Sequence, residues 1–146
     1  MRNKKTLKVI GWREWLDLPE LGIKKIKCKV DTGARSSAIH AYDMEFYFEG
    51  KKEFVKFKIH PDQKSVNKVK RCKAEVVEYR RVKSSNGQTE KRPVIKTVVT
   101  LHNESWETEL TLTNRDQMGF RMLLGRQSFK KKFLVDVSKS YLGKNE

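Results

Sequence analysis

Apolar and polar residues alternate with period two through most of this chain, a period that strands satisfy and helices do not. Ile26-Lys27-Cys28-Lys29-Val30 alternates apolar and cationic. Val55, Phe57 and Ile59 point one way with Lys56 and Lys58 the other, and Trp106, Thr108, Leu110 and Leu112 share one face of a third run. No stretch has the length and 3.6-residue period of a layer-forming helix, and no internal repeat, low-complexity tract or linker interrupts the chain. The class expected is all-β, closed or nearly closed, with one short helix near the end, built as a single domain over residues 1–146.

The pattern places strands at Leu7–Gly11, Ile23–Val30, Ala38–Glu49 with a bend between Ala41 and Met44, and Phe54–Ile59 after a turn at Glu49-Gly50-Lys51-Lys52. Trp12–Pro19 reads as a broken segment with a single helical turn, its two tryptophans covering one end of the core. A long strand over Val69–Lys83, a turn at Ser84-Ser85-Asn86-Gly87 and a β-branched run over Pro93–Leu101 make a second hairpin. Strands at Trp106–Thr113 and Phe120–Leu124, a short helix over Arg126–Lys131 and a strand at Phe133–Val137 complete the reading.

One ionisable residue stands in a frame with a chemical purpose. The strand ending at Val30 delivers Asp31, and Thr32-Gly33 then breaks it. Glycine permits a tight turn that brings backbone N–H groups to the preceding carboxylate. Asp-Thr-Gly alone is also ordinary turn chemistry. A second stretch, Phe120-Arg121-Met122-Leu123-Leu124-Gly125-Arg126, is an apolar run stopped by glycine.

Asp31-Thr32-Gly33-Ala34 early, with two large aliphatics and Gly125-Arg126 late, resembles the paired signature of the retropepsin-like aspartic proteases. Arg92-Pro93-Val94-Ile95, Glu109–Arg115, Met122–Arg126, and Phe133–Asp136 with Ser140-Tyr141-Leu142 sharpen the resemblance, over about Val9 to Leu142, to a family of small bacterial proteins labelled ATP-dependent zinc protease. Some of its members are associated with ATP-grasp enzymes that add glutamates to a ribosomal protein. The resemblance implies a β-barrel of the acid-protease type and a catalytic loop of Asp31, Thr32 and Gly33, in which Thr32 bonds across to a second loop. It also implies that Leu123, Leu124 and Gly125 wall the loop from behind, that Ala34 contacts substrate, and that the second hairpin is a flap with Ser84, Ser85, Asn86 and Gly87 at its tip. An ordinary surface hairpin is the alternative.

Peptide hydrolysis by an aspartate requires a second carboxylate. Asp136 lacks the glycine turn and Asp116 lies in a polar turn, so the natural partner is Asp31 of a second copy, and a homodimer is expected. The family pattern has an acidic residue after Asp-Thr-Gly-Ala that pairs with the late arginine; here it is Arg35. Arg35 and Arg126, with Arg80, Arg81 or Arg92 of the flap hairpin, are therefore candidates to bind a carboxylate-bearing, glutamate-rich peptide. The alternative is that Arg35 faces solvent or pairs with Glu78.

Thirty-three Lys and Arg against eighteen Asp and Glu give a net charge of +15 and a pI near 9.9. That field attracts polyanions of any kind, so non-specific nucleic-acid binding is expected, and Tyr42, Tyr47 and Tyr79 among the lysines make a non-catalytic basic barrel the main rival. A catalytically dead domain retaining the protease fold for binding is a further alternative. His40, His60 and His102 stand singly, without ligand spacing to one another or to Cys28 and Cys72, so neither metal nor other cofactor is expected despite the family label. Two cysteines, and an apolar run at Leu7–Ile10 interrupted by Lys8, point to a cytoplasmic protein with reduced thiols and no membrane association.

Overall fold

A computed structural model describes residues 6–61, 68–83, 86–115 and 119–143. Twelve strands appear among them: β1 (Lys8–Gly11), β2 (Arg13–Leu18), β3 (Ile23–Asp31), β4 (Ser37–His40), β5 (Tyr42–Glu49), β6 (Lys52–Ile59), β7 (Lys70–Glu75), β8 (Glu78–Lys83), β9 (Thr89–Leu101), β10 (Glu104–Thr113), β11 (Met122–Gly125) and β12 (Phe133–Asp136). A 3-10 turn spans Pro19–Leu21, and the helix α1 spans Arg126–Phe129. The all-β expectation holds, with the short helix where the sequence puts it. No helix among the described residues is long and apolar enough to cross a membrane.

The main sheet runs β10-β4-β11-β3-β2-β9-β8, and β10 also pairs with β9, so its first six strands close on themselves. Closure satisfies backbone groups that an open edge would expose. It also gives every inward residue a partner across the ring: Leu16, Ile26, Ile39, Ile95, Leu110, Leu112, Met122 and Leu124 are all essentially inaccessible to water. Each such side chain contributes about 1.5–3 kcal/mol by leaving water, so the ring interior dominates stability. A separate three-stranded sheet, β5-β6-β7, packs Val55, Phe57 and Ile59 against it, and β1 pairs with β12 in parallel.

Three segments differ from the sequence reading. Trp12–Leu18 is mostly the strand β2, paired with β3 with a register shift between Leu16 and Leu18, and the helical turn lies just beyond it at Pro19–Leu21. The inward alternation there is Glu14, Leu16, Leu18, and a charged first member disguises the period. The run from Ala38 to Glu49 is two strands, β4 and β5, in different sheets, because Ala41 turns its N–H to the Thr113 carbonyl while Tyr42 begins the pairing with Lys58. Val69–Lys83 is likewise two strands. The Val76 N–H bonds the Glu53 carbonyl of the small sheet and the next amide, Val77, bonds Val94 of the ring, so the chain changes sheets within one residue. The second hairpin is thus β8 with the first half of β9, and β9 begins four residues before Pro93. The turn at Glu49–Lys52 forms as expected, with Gly50 at φ +63°, a left-handed conformation that glycine adopts without steric cost.

Glu14 is wholly buried, yet its carboxylate is well satisfied. It accepts hydrogen bonds from the N–H groups of Gly11 at 2.7 Å, Leu142 at 2.8 Å and Gly143 at 2.9 Å. One carboxylate therefore ties the C-terminal segment to the start of β2, aided by the Tyr141 N–H on the Arg13 carbonyl. Glu14→Gln turns amide hydrogens toward these donors, and the expected loss of stability is about 2 kcal/mol or more, measured by urea unfolding against the parent chain.

Both cysteines are free and buried. Desolvation raises the Cys28 thiol far above its ordinary range, and raises Cys72 to about 11. The thiolate is the nucleophile, so at pH 8 both thiols should resist a disulfide-exchange reagent in the folded protein and react promptly in urea; fast modification of the native chain would contradict this burial.

Candidate active site

The site is built where two strands distant in sequence run side by side. β3 and β11 are parallel, with Met122 beside Cys28, Leu124 beside Val30 and Gly125 beside Asp31. Asp31 is thus the last residue of its strand, and its half-buried carboxylate accepts the Gly33 N–H at 2.9 Å. The Ala34 N–H closes the turn on the Asp31 carbonyl at 3.2 Å. The glycine turn therefore holds the carboxylate by the bond that the sequence pattern calls for.

The loop after Asp31 is clasped from behind by the start of α1. Arg126 N–H bonds the Ala34 carbonyl at 2.9 Å, Gln127 N–H bonds the Arg35 carbonyl at 3.2 Å, and Gly125 N–H bonds the Ser37 hydroxyl at 2.9 Å. The backbones meet so closely that a Cβ on Gly125 would lie 2.5 Å from the Ser36 carbonyl carbon and oxygen. Leu123 and Leu124 are buried beneath. Ser36 and Ser37 are not candidates in the sequence reading, and the Ser-Ser pair directly after Arg35 is the signal that could have found them.

The arginines divide among different roles. Arg126 donates to the Gly33 carbonyl at 3.2 Å, bracing the loop. Arg80 is gripped by Glu78 and Glu109, each at 2.9 Å, and the Glu109 bond first raises its proton affinity. Arg92 is buried, its guanidinium 3.5 Å from Glu90, and desolvation lowers its proton affinity. Arg35 is exposed and lines a cavity of about 1010 Å³, ample for several peptide residues. Gly33–Ser37 form one wall of it, Arg80–Lys83 of the hairpin another, and Trp106–Glu109 with Gln127, Ser128 and Lys132 the rest.

At one end of the cavity a polar network that the sequence reading missed takes shape: Trp106 Nε1 and the Thr108 hydroxyl both donate to Ser128 Oγ, at 2.9 and 2.7 Å. Thr32 and Gly33 are exposed beside Asp31. Asn86, whose side chain accepts the Gln88 N–H at 3.0 Å, and Gly87 lie at the hairpin tip, outside the cavity lining. Ser84, Ser85 and Asp116 lie outside the described residues. Asp136 accepts from the Ser138 N–H and hydroxyl, at 2.9 and 2.6 Å, and these bonds lower its proton affinity.

A ring of strands that ends one member in Asp-Thr-Gly, and backs that turn with Leu-Leu-Gly-Arg on a parallel neighbour, defines a retropepsin-like acid-protease fold. A profile of the RimB-like family, described as retropepsin-like aspartic endopeptidase RimB, matches residues 9–146. The chain belongs to this family. It is 49% identical over 133 residues to a probable alpha-L-glutamate ligase of Shewanella pealeana, and 43% identical over 146 residues to one of Desulfotalea psychrophila. The matches cover 91% and 94% of this chain but 29% and 32% of those proteins, so the chain spans under a third of the relatives' length. The crystal structure of Lpg0085, a Legionella pneumophila protein of unknown function, superposes with a TM-score of 0.77 at 22% identity, covering 94% of this chain and 98% of that one.

Among the described residues no three His, Cys, Asp or Glu side chains come together to hold a metal ion. His40 Nε2 contacts the Asn114 side chain and His60 Nδ1 the Lys68 carbonyl.

Gly125→Ala forces the clasp apart, because its contact is with backbone that has nowhere to move. The expected destabilisation is at least about 1–3 kcal/mol, read by thermal unfolding, with amide exchange rising first at Ala34–Ser37; an unperturbed variant would show the close approach to be unimportant.

Proposed function

We propose that this chain is an aspartic peptidase that acts as a homodimer on glutamate-rich peptides. The observation that carries the reading is Asp31 itself: a carboxylate pinned by a glycine turn at a strand end, with exposed Thr32 and Gly33 beside it and a large basic cleft adjoining. A single copy supplies one such carboxylate. Two copies related by a two-fold axis supply the dyad, which shares one proton because both members cannot stay charged in contact.

In this dyad the ionised Asp31 takes a proton from water as its oxygen attacks the scissile carbonyl carbon. The protonated Asp31 of the second copy donates its proton to the carbonyl oxygen. The tetrahedral intermediate collapses as the C–N bond breaks: the first Asp31 gives the proton it took from water to the leaving amine, and the second takes a proton back from the gem-diol hydroxyl as the carboxyl product forms, so the dyad again holds one proton. Arg35, Arg81, Lys83 and Lys132 around the cleft favour an acidic substrate. Glu107 and Glu109 line it as well, and Glu109 is neutralised by Arg80. The glutamate-ligase names of the relatives fit the same substrate class, since such an enzyme makes the bonds that this one would cut. The thiols and the polyanion-attracting charge suit a cytoplasmic setting in which weak, salt-sensitive nucleic-acid binding accompanies the main activity.

A second reading has its own support: the matched relatives are named for ligation and this region is under a third of their length, so on this reading the chain holds an acidic peptide without cutting it. Purified chain incubated with glutamate-rich peptides decides between them. Peptidase action predicts cleavage that falls on the order of a thousandfold or more in Asp31→Asn, with activity tracking the dimer fraction in sedimentation. Peptide binding without cleavage by the parent chain would favour the second reading, and cleavage by a solitary protomer would refute the shared dyad.

A further inference from the structure

One edge of the main sheet is open beside the cleft. β9 runs along β10 from Glu104 to Thr111, whereas β4 takes the other side of β10 only from Leu110 to Thr113. Among the described residues no strand lies beside residues 104–109 on that side. The Thr113 carbonyl turns toward β4 and accepts the Ala41 N–H. Alternate residues of a strand turn their backbone groups the same way, so the N–H and carbonyl of Glu107 face the open side, and Glu107 lines the cleft. Such an edge accepts an extended chain as one more strand: main-chain bonds give affinity, and pockets for alternate side chains give specificity.

A side-chain pocket of that kind adjoins the edge. Trp106 and Thr108 project to one side of β10, and both donate to Ser128 Oγ, at 2.9 and 2.7 Å. A hydroxyl oxygen has two acceptor positions and one hydrogen. Both positions on Ser128 are filled, so its hydrogen is left for a further acceptor, and among the described residues none takes it. The Trp106 ring, held at its nitrogen by Ser128 and packed on Phe133 at 5.5 Å, carries the Lys132 ammonium 5.8 Å from its centre. Ser128 and Lys132 are half-buried in the cleft lining, and Lys132 has no ion pair among the described residues. Glu107 and Glu109, the acids that line the cleft, project from the opposite side of β10, where Arg80 binds Glu109. Glu104, the remaining acid on the Trp106 side of β10, lies outside the lining. An O–H donor and an ammonium on one aromatic platform suit a carboxylate. The edge selects a peptide and the pair beside it an anion, which together specify an acidic peptide rather than a polynucleotide.

We propose that Ser128 and Lys132 determine specificity by holding the carboxylate of one glutamate in a peptide that pairs with the open edge of β10. Side chains of an added strand alternate between the two sides of the sheet. A glutamate on the Trp106 side therefore meets Ser128 and Lys132, while its neighbours turn to the side of Glu107. The pocket deepens the peptidase reading and rests on it for its part in cleavage; binding itself needs no catalysis.

The test is a calorimetric titration of the Asp31→Asn chain with oligoglutamate, oligoglutamine, oligoglutamate methylated at every peptide nitrogen, and oligouridylate. Oligoglutamate should bind about tenfold more tightly than oligoglutamine. Lys132→Gln and Ser128→Ala should each remove most of that difference and leave oligoglutamine affinity unchanged, whereas Lys132→Arg and Ser128→Thr should keep it. A folding defect would weaken both peptides alike. Should Ser128→Ala not fold, Lys132→Gln decides. Methylation should abolish oligoglutamate binding by blocking the edge. An unchanged preference in Lys132→Gln, equal weakening of both peptides, or no oligoglutamate binding by the parent would overturn the proposal. So would methylated peptide binding as well as unmethylated, or oligouridylate binding more tightly than oligoglutamate through Lys132. If Lys132→Gln loses the preference while the wild-type chain cleaves nothing, the peptidase reading falls and the pocket stands. If Lys132→Gln, in an otherwise wild-type chain, cleaves with its acidic preference intact, the pocket falls and the peptidase stands.

Discussion

The parallel pairing of β3 with β11 is the contact on which the rest of the site depends. It puts Gly125 beside Asp31, and because Gly125 has no side chain, the loop from Ala34 to Ser37 can lie directly on it. Three hydrogen bonds from Gly125, Arg126 and Gln127 then hold that loop. The aspartate is fixed by its own turn in front and by a clasp behind, so the fold itself orients the carboxylate.

Charge is arranged in tiers around that fixed point. The net +15 says only that polyanions are attracted. Tertiary contacts give the cations separate roles. Arg126 braces a carbonyl, Arg80 is neutralised by two glutamates, Arg92 is buried beside Glu90, and Arg35 lines the cleft. Identical residue types thus brace the fold in one place and stay exposed at the cleft in another, and burial and partners tell them apart.

Much of the fold is legible along the chain because each strand's alternation is a local property. The Phe54–Ile59 strand, its Gly50 turn and the Ile23–Asp31 strand appear where the pattern puts them. The reading fails where long-range demands override the local one. Glu14 disguises β2 as broken because a buried carboxylate looks polar in sequence, although three backbone N–H groups make its burial tolerable. Val76 and Val77 look like the middle of one strand, but their amides bond to different sheets. The Trp106–Thr108–Ser128 network joins residues about twenty positions apart through a helix too short to announce its facing.

By itself the sequence determined the strand content, the Asp-Thr-Gly turn and the presence of a late Leu-Leu-Gly-Arg, since each depends on residues within a few positions of one another. Only the tertiary structure decided that Gly125 lies beside Asp31 despite the long stretch of chain between them, and which arginines remain at the cleft once others are taken by Glu78, Glu90, Glu109 and Gly33. The physical reason is that a turn is set by local backbone sterics. A parallel strand pair and the partner of a charge are set by how the whole ring closes around its core.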